Sequence, residues 1–425
     1  MKRISSAALV AAMTIGAASV VAAPPAYAKK KDTPPAGALV LSEPIRVQAQ
    51  AAKDAITASN IPAAEAAITQ VETAATTDDE KYVGAVLRYA VESQKLYDKQ
   101  KSTNGVFDAR PLAAPLDVLI ASPKTPATDL PKYLFTRGTV SFDQRNYAGA
   151  VGFFTRAKAA GSTEPNLPLY LIKSKVEGGD VAGGMADLDA VWTAKGPMTD
   201  DYYKYAIAKT NAAGMKAETF KWIKRRVAAS PSSQTWRDAI VFYGLQQQPV
   251  VKLDKRQMID LFRLMRRTKS LADQTDYEEY GQKAYDIGLP DEARTILNEG
   301  KTLGKIPATS STTKSLLSDS ATAIAGENFA TLEKKAAIAP KGEVAAQTGD
   351  GYLGRDEYAK AIPLYRLALQ KGVADTDQVN LHLGIALALS GDKEGARASF
   401  AAVKGAPRAD IASLWAMWLD SPAAA

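Results

Sequence analysis

The chain has 425 residues, with 53 Lys and Arg against 46 Asp and Glu, one His, no Cys and a formal net charge of +7. A hydrophobic content of 46% is typical of a globular protein rather than a disordered chain. The lack of Cys excludes disulfides, thiolate nucleophiles and Cys-ligated metal centres, and a single His excludes sites that need two imidazoles. Much ordinary enzyme chemistry is thereby excluded, and the sequence predicts no cofactor and no metal.

The first element in chain order is an export signal. A basic tripeptide precedes an uncharged, Ala-rich stretch at 4–23 and a small-residue site that ends at Ala28. This pattern predicts a signal peptide cleaved after Ala28, and therefore a periplasmic or secreted protein, with 29–41 as a flexible tether. The alternative is an uncleaved membrane anchor, because 4–23 is long enough to cross a bilayer, although it is only weakly hydrophobic.

Beyond Ser42 the chain reads as one helix after another. Apolar residues recur at spacings of three and four, which would bury one face of each helix. The first such set is Ile45, Ala49, Ala52 and Ile56. Gly, Pro, Asn or Asp separate the segments, and the alternation typical of strands is almost absent. An all-α chain of this length calls for a search for internal repeats.

Four segments share one set of spacings: a Gly is followed twelve residues later by Ala and sixteen residues later by a large apolar residue. The sets are Gly138, Ala150 and Phe154; Gly281, Ala293 and Leu297; Gly349, Ala361 and Tyr365; and Gly384, Ala396 and Phe400. The pattern resembles the tetratricopeptide repeat (TPR) family, in which a small residue lies where helices A and B of each unit touch. Large apolar residues then fill the gap to the neighbouring unit.

With Gly138 as the reference position, equivalent positions recur at steps of 33 to 35 residues and one step of 41. They are Ile172, Ile207, Ile240, Gly281, Leu316, Gly349 and Gly384. The long step predicts an extended connection around 245–253. The resemblance implies an all-α fold, a right-handed α–α superhelical solenoid of TPR-like helix pairs over 131–405.

The remaining segments flank this solenoid. Residues 42–121 read as two divergent helical pairs without the signature, and 122–131 is a candidate hinge within one otherwise continuous superhelix. A capping helix is predicted at 406–425, with its helical part at 408–419. Its apolar stripe would cap the open end of the solenoid. A dimer contact is the alternative, because exposed aromatic patches mark association surfaces. The stripe consists of Leu414, Trp415, Trp418 and Leu419.

Three possible chemical motifs are better explained by structure. The G-x-G-x-x-G at 349–354 lacks the preceding strand that a dinucleotide site needs. The S-x-x-K at 311–314 lacks the companion motifs of the penicillin-binding proteins and is typical of a capped helix start. His382 is interpreted as a core or groove residue, because no triad signature accompanies it. The sequence therefore predicts no catalytic residue.

Charge is distributed unevenly along the chain. Residues 216–269 hold 13 basic and 4 acidic side chains, a net charge of +9 for this segment. Such a stripe is interpreted either as a solvated outer face or as a basic patch for an anionic glycan, lipid headgroup or acidic protein. Nucleic acid is not expected in an export compartment. The patch comprises Lys221, Lys224, Arg225, Arg226, Arg256, Arg263, Arg266 and Arg267.

The resemblance also implies a partner-binding groove lined by the A-helices. By position, the groove residues are Lys132, Phe135, Thr139, Phe142 and Asp143 in one unit, Glu278, Gln282, Tyr285 and Asp286 in a second, and Leu381, Ile385 and Leu389 in a third. The family's carboxylate clamp needs Lys and Asn at the positions of Phe135 and Thr139, so this clamp is missing here. Extended or helical segments with apolar anchors are the expected ligands.

These observations predict a non-enzymatic, exported bacterial TPR scaffold or adaptor that binds another protein of the cell envelope through its concave face. The alternatives are a module that binds envelope glycan or an anionic surface, and a helper of a peptidoglycan enzyme.

Overall fold

The computed structural model describes residues 39–103 and 108–421. The predicted signal peptide and residues 29–38 of the predicted tether lie outside this part. Within it every regular element is helical: 21 α-helices, a 3₁₀ turn at Arg110–Leu112 and a π turn at Val241–Leu245. The predicted all-α class is confirmed. No helix in the described residues combines the length and apolar character needed to cross a bilayer.

The chain divides into two compact units, residues 1–196 and 197–425. In the first unit each helix packs on the next one in chain order. Its helices are α1 (Glu43–Thr57), α2 (Ile61–Ala74), α3 (Asp78–Thr103), α4 (Ala113–Ala121), α5 (Leu130–Asp143), α6 (Tyr147–Ala159), α7 (Leu167–Glu177) and α8 (Val181–Lys195). The candidate hinge at 122–131 joins α4 to α5 inside this unit.

The second unit contains thirteen helices among the described residues. They are α9 (Asp200–Ala212), α10 (Lys216–Ala229), α11 (Ser233–Ile240), α12 (Lys255–Arg267), α13 (Gln274–Asp286), α14 (Pro290–Thr302), α15 (Ser311–Ala325), α16 (Phe329–Ile338), α17 (Glu343–Gly354), α18 (Tyr358–Lys371), α19 (Thr376–Ser390), α20 (Lys393–Ala402) and α21 (Arg408–Leu419). The last helix has the bounds predicted for the closing helix.

One turn geometry joins the helices of six predicted pairs. Seven residues after the reference position the backbone takes a positive φ of 59° to 98°, and the second helix begins two residues later. The residues with positive φ are Arg145, Gly179, Gly214, Gly288, Asp356 and Gly391. Glycine is the usual choice here because its missing Cβ removes the steric penalty of the left-handed region. This short turn sets the second helix back against the first.

The glycines at the reference positions are packing sites, as the repeat pattern predicts. A methyl group on Gly138 would lie 2.5 Å from the ring of Phe154, and one on Gly384 would lie 2.5 Å from the ring of Phe400. Gly349 faces Tyr365 in the same way. In each pair the ring from the B-helix therefore occupies the volume that a side chain on the A-helix would need.

The amino-terminal pair follows the same geometry, although the sequence predicts no signature there. Ser59 has a φ of 57° seven residues after Ala52, and α2 begins two residues later. Ala52, Ala64 and Ile68 are fully buried in one cluster at the offsets of the other units. The signature is hidden in the sequence because alanine replaces glycine at the reference position.

Two of the predicted helix pairs depart from the regular geometry. After Ile240 the chain continues into the π turn, and α12 begins only at Lys255, which agrees with the predicted long connection. The unit predicted at Leu316 is not a close pair, because α15 packs on α13 and α14 while α16 packs on α17. Consequently α14 contacts α17 directly.

Helix α12 lies inside the second unit. Seven consecutive residues, 259–265, are buried, so the middle of the helix is enclosed on all sides, whereas its first turn is exposed. The closing helix α21 packs against α12, and the indole N–H of Trp415 donates to the main-chain carbonyl of Asp260 at 3.1 Å. Tyr243 in the π turn donates to Asp410 of α21 at 2.9 Å. All four residues of the predicted apolar stripe are buried here. The stripe therefore belongs to the core of this unit.

A pair of Gly→Ala substitutions tests the close packing of α5 on α6. We expect Gly138→Ala to lower the free energy of unfolding by about 1–3 kcal/mol, because the added methyl group would overpack against the buried ring of Phe154. Gly152→Ala on α6, where no atom lies within 4 Å, should instead raise it by about 0.5–1 kcal/mol. Urea unfolding of both variants is the measurement, and equal effects would contradict the packing.

Candidate functional site

Aromatic side chains gather on the A-helices of the first unit. Tyr170 of α7 packs edge-on against Phe135 and Phe142 of α5, with ring centroids 5.8 and 5.6 Å apart. All three rings are half-buried, whereas Phe154 beneath them is fully buried, with its centroid 5.7 Å from that of Phe135. The two predicted groove aromatics thus form the accessible side of what we call the first-unit aromatic cluster, defined by Phe135, Phe142 and Tyr170.

The other predicted groove residues of this unit surround the cluster on α5. Lys132 is half-buried, and the hydroxyl of Thr139 donates to the carbonyl of Thr136 at 2.7 Å. Asp143 is the last residue of α5 and is exposed, but partial loss of hydration around its carboxyl group raises its pKa. Burial raises the pKa of Tyr170 as well, and the charge of Asp143 adds to this effect. A carboxylate therefore lies beside the aromatic rings.

The groove residues predicted on α13 make contacts within the chain. Glu278 accepts hydrogen bonds from Ser310 at 2.5 Å and Thr313 at 2.7 Å, at the start of α15. Burial would raise its pKa, but these hydrogen bonds outweigh burial and lower it. Gln282 donates to Asp286 at 2.7 Å, and Tyr285 packs against the core. Glu278 therefore supports the next helix, while Gln282 and Asp286 stay exposed on α13.

Helix α12 covers the A-helix face of the last repeats. Leu381 and Ile385, two groove residues predicted on α19, are fully buried, and Leu389 is half-buried. A crevice between Ile385, Leu389 and the arginines of α12 has a volume of about 10 Å³, room for about one water molecule. The groove predicted in this part of the chain is therefore filled by the chain itself.

Arg263 is the central ion of this covering helix. Only 6% exposed, it donates to both oxygens of Glu292, at 2.8 and 2.6 Å, and to Asp260 at 3.0 Å. Tyr280 donates to the same Glu292 at 2.6 Å. Buried ions of this kind persist only when they are paired, because each uncompensated charge costs several kcal/mol.

The single histidine joins three helices in the same interior. His382 Nδ1 lies 2.6 Å from Asp350 Oδ1, and Nε2 lies 3.0 Å from Asp260 Oδ1. Burial alone would lower the pKa of His382, but the two carboxylates outweigh burial and raise it to about 9. Tyr365 donates to Asp350 at 2.7 Å, and Arg408 lies 3.8 Å from Asp260. His382 is thus a buried, charged core residue.

The predicted basic patch is not one solvent-facing surface. Arg263 is buried, Arg266 binds Asp356 at 2.9 Å and Glu299 at 2.7 Å, and Arg267 binds Asp356 at 3.2 Å. Most of the acidic partners come from distant parts of the sequence, which is why a count along residues 216–269 overstates the free positive charge.

The rest of the patch lies on α10 and at the start of α12. Arg226 binds Asp200 at 2.6 Å, and Lys221 pairs with Glu218 at 2.5 Å. Arg256 is exposed. Lys224 and Arg225 each lie over an aromatic ring, at 4.8 and 4.7 Å from the ring centroids. Binding of a glycan or lipid by these cations stays a prediction, and fewer positive charges support it than the count along residues 216–269 suggests.

The sequence motifs have packing explanations. The G-x-G-x-x-G segment lies inside α17, and a side chain on its three glycines would meet Tyr365, Phe329 and Glu292 respectively. The S-x-x-K segment forms the first turn of α15, and the preceding residue, Ser310, caps this helix by accepting the N–H of Thr313 at 3.1 Å. The described residues contain no group of three or more potential metal ligands.

Sequence reasoning missed the acidic half of the interior network. Asp260, Glu292 and Asp350 are at most 4% exposed, and each is bound to a cation or a tyrosine. The available signal was local: Asp260 is a lone carboxylate among Ile259, Leu261 and other apolar residues, with Arg263 one turn later. A charged pair within the otherwise apolar segment 258–265 indicates burial with partners from elsewhere.

No protein-family model matches the chain, and no curated protein matches it in sequence. Among solved structures, a crystal structure of the APC/C hetero-tetramer Cut9-Hcn1 aligns with 88% of this chain and 90% of that chain, at 11% identity and a TM-score of 0.19. A TM-score this low carries no argument. The TPR-like fold, a series of helix pairs with one recurring turn, rests on the geometry described above.

Two substitutions on α12 separate buried from exposed arginines. We expect Arg263→Ala to cost about 3–5 kcal/mol of unfolding free energy, because Glu292 and Asp260 would stay buried without their cation. Arg256→Ala on the same helix is exposed and should change it by no more than about 0.5 kcal/mol. Denaturant unfolding measures both. A loss below about 1 kcal/mol at Arg263 would contradict the network.

The raised pKa of His382 predicts a pH dependence of stability. Because the folded pKa is about 9 against an ordinary histidine value of 6.5, the stabilisation is complete below pH 6.5 and is lost as the pH rises through 9. The total is on the order of 3 kcal/mol. Proton NMR of the only imidazole gives the pKa directly, and His382→Gln should flatten the stability profile between pH 6.5 and 9. A measured pKa near 6.5 would refute the ion pairs.

Proposed function

We propose that this chain is a non-enzymatic, TPR-like scaffold or adaptor that binds another protein through the first-unit aromatic cluster. The observation that supports this proposal is the set of three half-buried rings on successive A-helices, with the carboxylate of Asp143 beside them. The corresponding face of the last repeats is covered by α12, whereas in the first unit this face of the A-helices is accessible.

The chemistry of this surface favours a partner segment with apolar side chains and a cation. Aromatic residues in partly desolvated positions supply much of the binding energy at protein interfaces. Asp143 is exposed as a residue, but the packing around its carboxyl group removes part of its hydration and raises its pKa, so its charged form is destabilised in the free protein. A lysine or arginine from a partner would stabilise that charge, and release of water from the rings would add to the affinity.

We further propose that the chain acts after export from a bacterial cytoplasm, in the periplasm or cell envelope. The support is the tripartite amino-terminal sequence that ends at Ala28. The absence of Cys is consistent with an oxidising compartment, because no free thiol is exposed to oxidation there. A scaffold in this location would hold its partner by equilibrium binding on a preformed face.

Site-specific photocrosslinking in living cells tests this function. A benzophenone amino acid at Gln144, exposed directly after α5 and next to Asp143, should give one dominant adduct with an envelope protein in the periplasmic fraction. The same group at Thr155, exposed on the B-helix α6, is the control and should give little adduct. Phe142→Ala should reduce the adduct several-fold while the protein stays folded. Equal adducts at both sites, or none at Gln144, would refute the proposed surface.

A further inference from the structure

A second concave feature lies within the second unit, between α9, α10 and α11. It is a cleft with a volume of about 210 Å³. Its apolar lining consists of Ile207, Ala208, Ile223, Val227, Ala239 and Phe242. Ile223 and Val227 are 2% exposed and form its floor, whereas Ala208 is exposed on α9 at its edge. The cleft can therefore take one large apolar side chain without any movement of the helices.

The polar groups around the cleft neutralise one another. Arg226 binds Asp200 at 2.6 Å and Asp238 at 3.0 Å, and Lys204 binds Asp200 at 2.7 Å. These two cations and two carboxylates leave no net charge at the rim. A charged group would have to break one of these pairs in order to enter, so the cleft itself selects an uncharged occupant.

The cleft lies where the repeat becomes irregular. Phe242 belongs to the π turn at Val241–Leu245, in which the N–H of Gln246 bonds the carbonyl of Val241 at 2.9 Å. This wider turn and the long connection after it replace the regular A-to-B turn found in the other pairs. Single π turns inside helices recur at functional sites because they redirect side chains at a local cost in stability.

The surrounding surface is basic although the rim is neutral. Residues 200–245 carry eight Lys and Arg against four Asp and Glu, and Asp276 from outside this stretch pairs with Arg237, which leaves a net charge of +3. Lys224 lies over Phe220 at 4.8 Å from the ring centroid, on the same α10 that supplies the floor of the cleft. A polypeptide whose apolar side chain entered the cleft would extend over this basic surface, which favours acidic flanking residues.

We propose that this cleft is a docking site for an acidic polypeptide segment that inserts one aromatic or large aliphatic anchor side chain. The anchor displaces water from the apolar floor, and the acidic flanks bind over the basic surface of α9–α11. This site is distinct from the first-unit aromatic cluster, so either can fail in its own test without the other.

Binding of labelled peptides to the full chain tests the proposal. The probes are fluorescein-labelled, Glu-rich dodecapeptides with a single central Leu, Phe or Trp, and fluorescence anisotropy is the readout. The same peptides with central Ala should bind at least about tenfold more weakly, because hot-spot anchors contribute this much or more. Raising the salt concentration should weaken binding through the acidic flanks.

A filled cleft provides the matched variant. Ala208→Leu places an apolar side chain from the exposed edge into the cleft and should abolish binding of the anchored peptides. Ala217→Leu, equally exposed on α10 but not part of the lining, should leave the affinity unchanged. Both variants should keep the thermal unfolding of the parent chain and its photocrosslink from Gln144.

Three outcomes would overturn the proposal. They are the failure of every anchored peptide to bind, equal affinity for central Ala and central Trp, and equal loss of binding in both Leu variants. Preference for Lys-flanked over Glu-flanked peptides would also contradict it, because the surface charge favours the opposite order.

Discussion

The close approach of two helices in each pair is the contact on which the rest of this structure depends. In the strongest units a glycine on the first helix faces a ring or leucine sixteen residues later, and a left-handed residue at the seventh position turns the chain back. Each feature requires the other, because the turn sets the register in which the ring meets the glycine. Because this contact is repeated, the same face of each first helix is left to pack in the interior or to bind a partner.

The two units use that face differently. In the second unit it is filled by α12, whose ions are compensated by carboxylates from α14, α17 and the turn before α18. Such a network stabilises one arrangement only when every member is paired, so it specifies the position of α12 more than it adds stability. In the first unit Phe135, Phe142 and Tyr170 are left half-exposed, and there the repeat geometry presents a surface rather than a core.

The departures from the repeat are also where new surfaces arise. At Ile240 the regular turn is replaced by a π turn and a long connection, and an apolar cleft lies against the helix that carries them. At Leu316 the pair is opened, which lets α14 contact α17. A regular repeat buries most of its apolar residues between neighbours, and the break in regularity after Ile240 leaves an apolar concavity open between α9, α10 and α11.

The sequence by itself determined the helical class, the register of the pairs and the packing role of Gly138, Gly349 and Gly384, because these depend on short, regular spacings. It predicted a helix pair at the amino-terminal end of 42–121 but missed the repeat signature there, because alanine takes the place of glycine at Ala52. Only the tertiary structure decided that Arg263, Arg266 and Arg267 are internal ions and that His382 is charged in the core. Apart from the carboxylate one turn before Arg263, their acidic partners lie 29 to 122 residues away, and no local pattern encodes a contact at that separation.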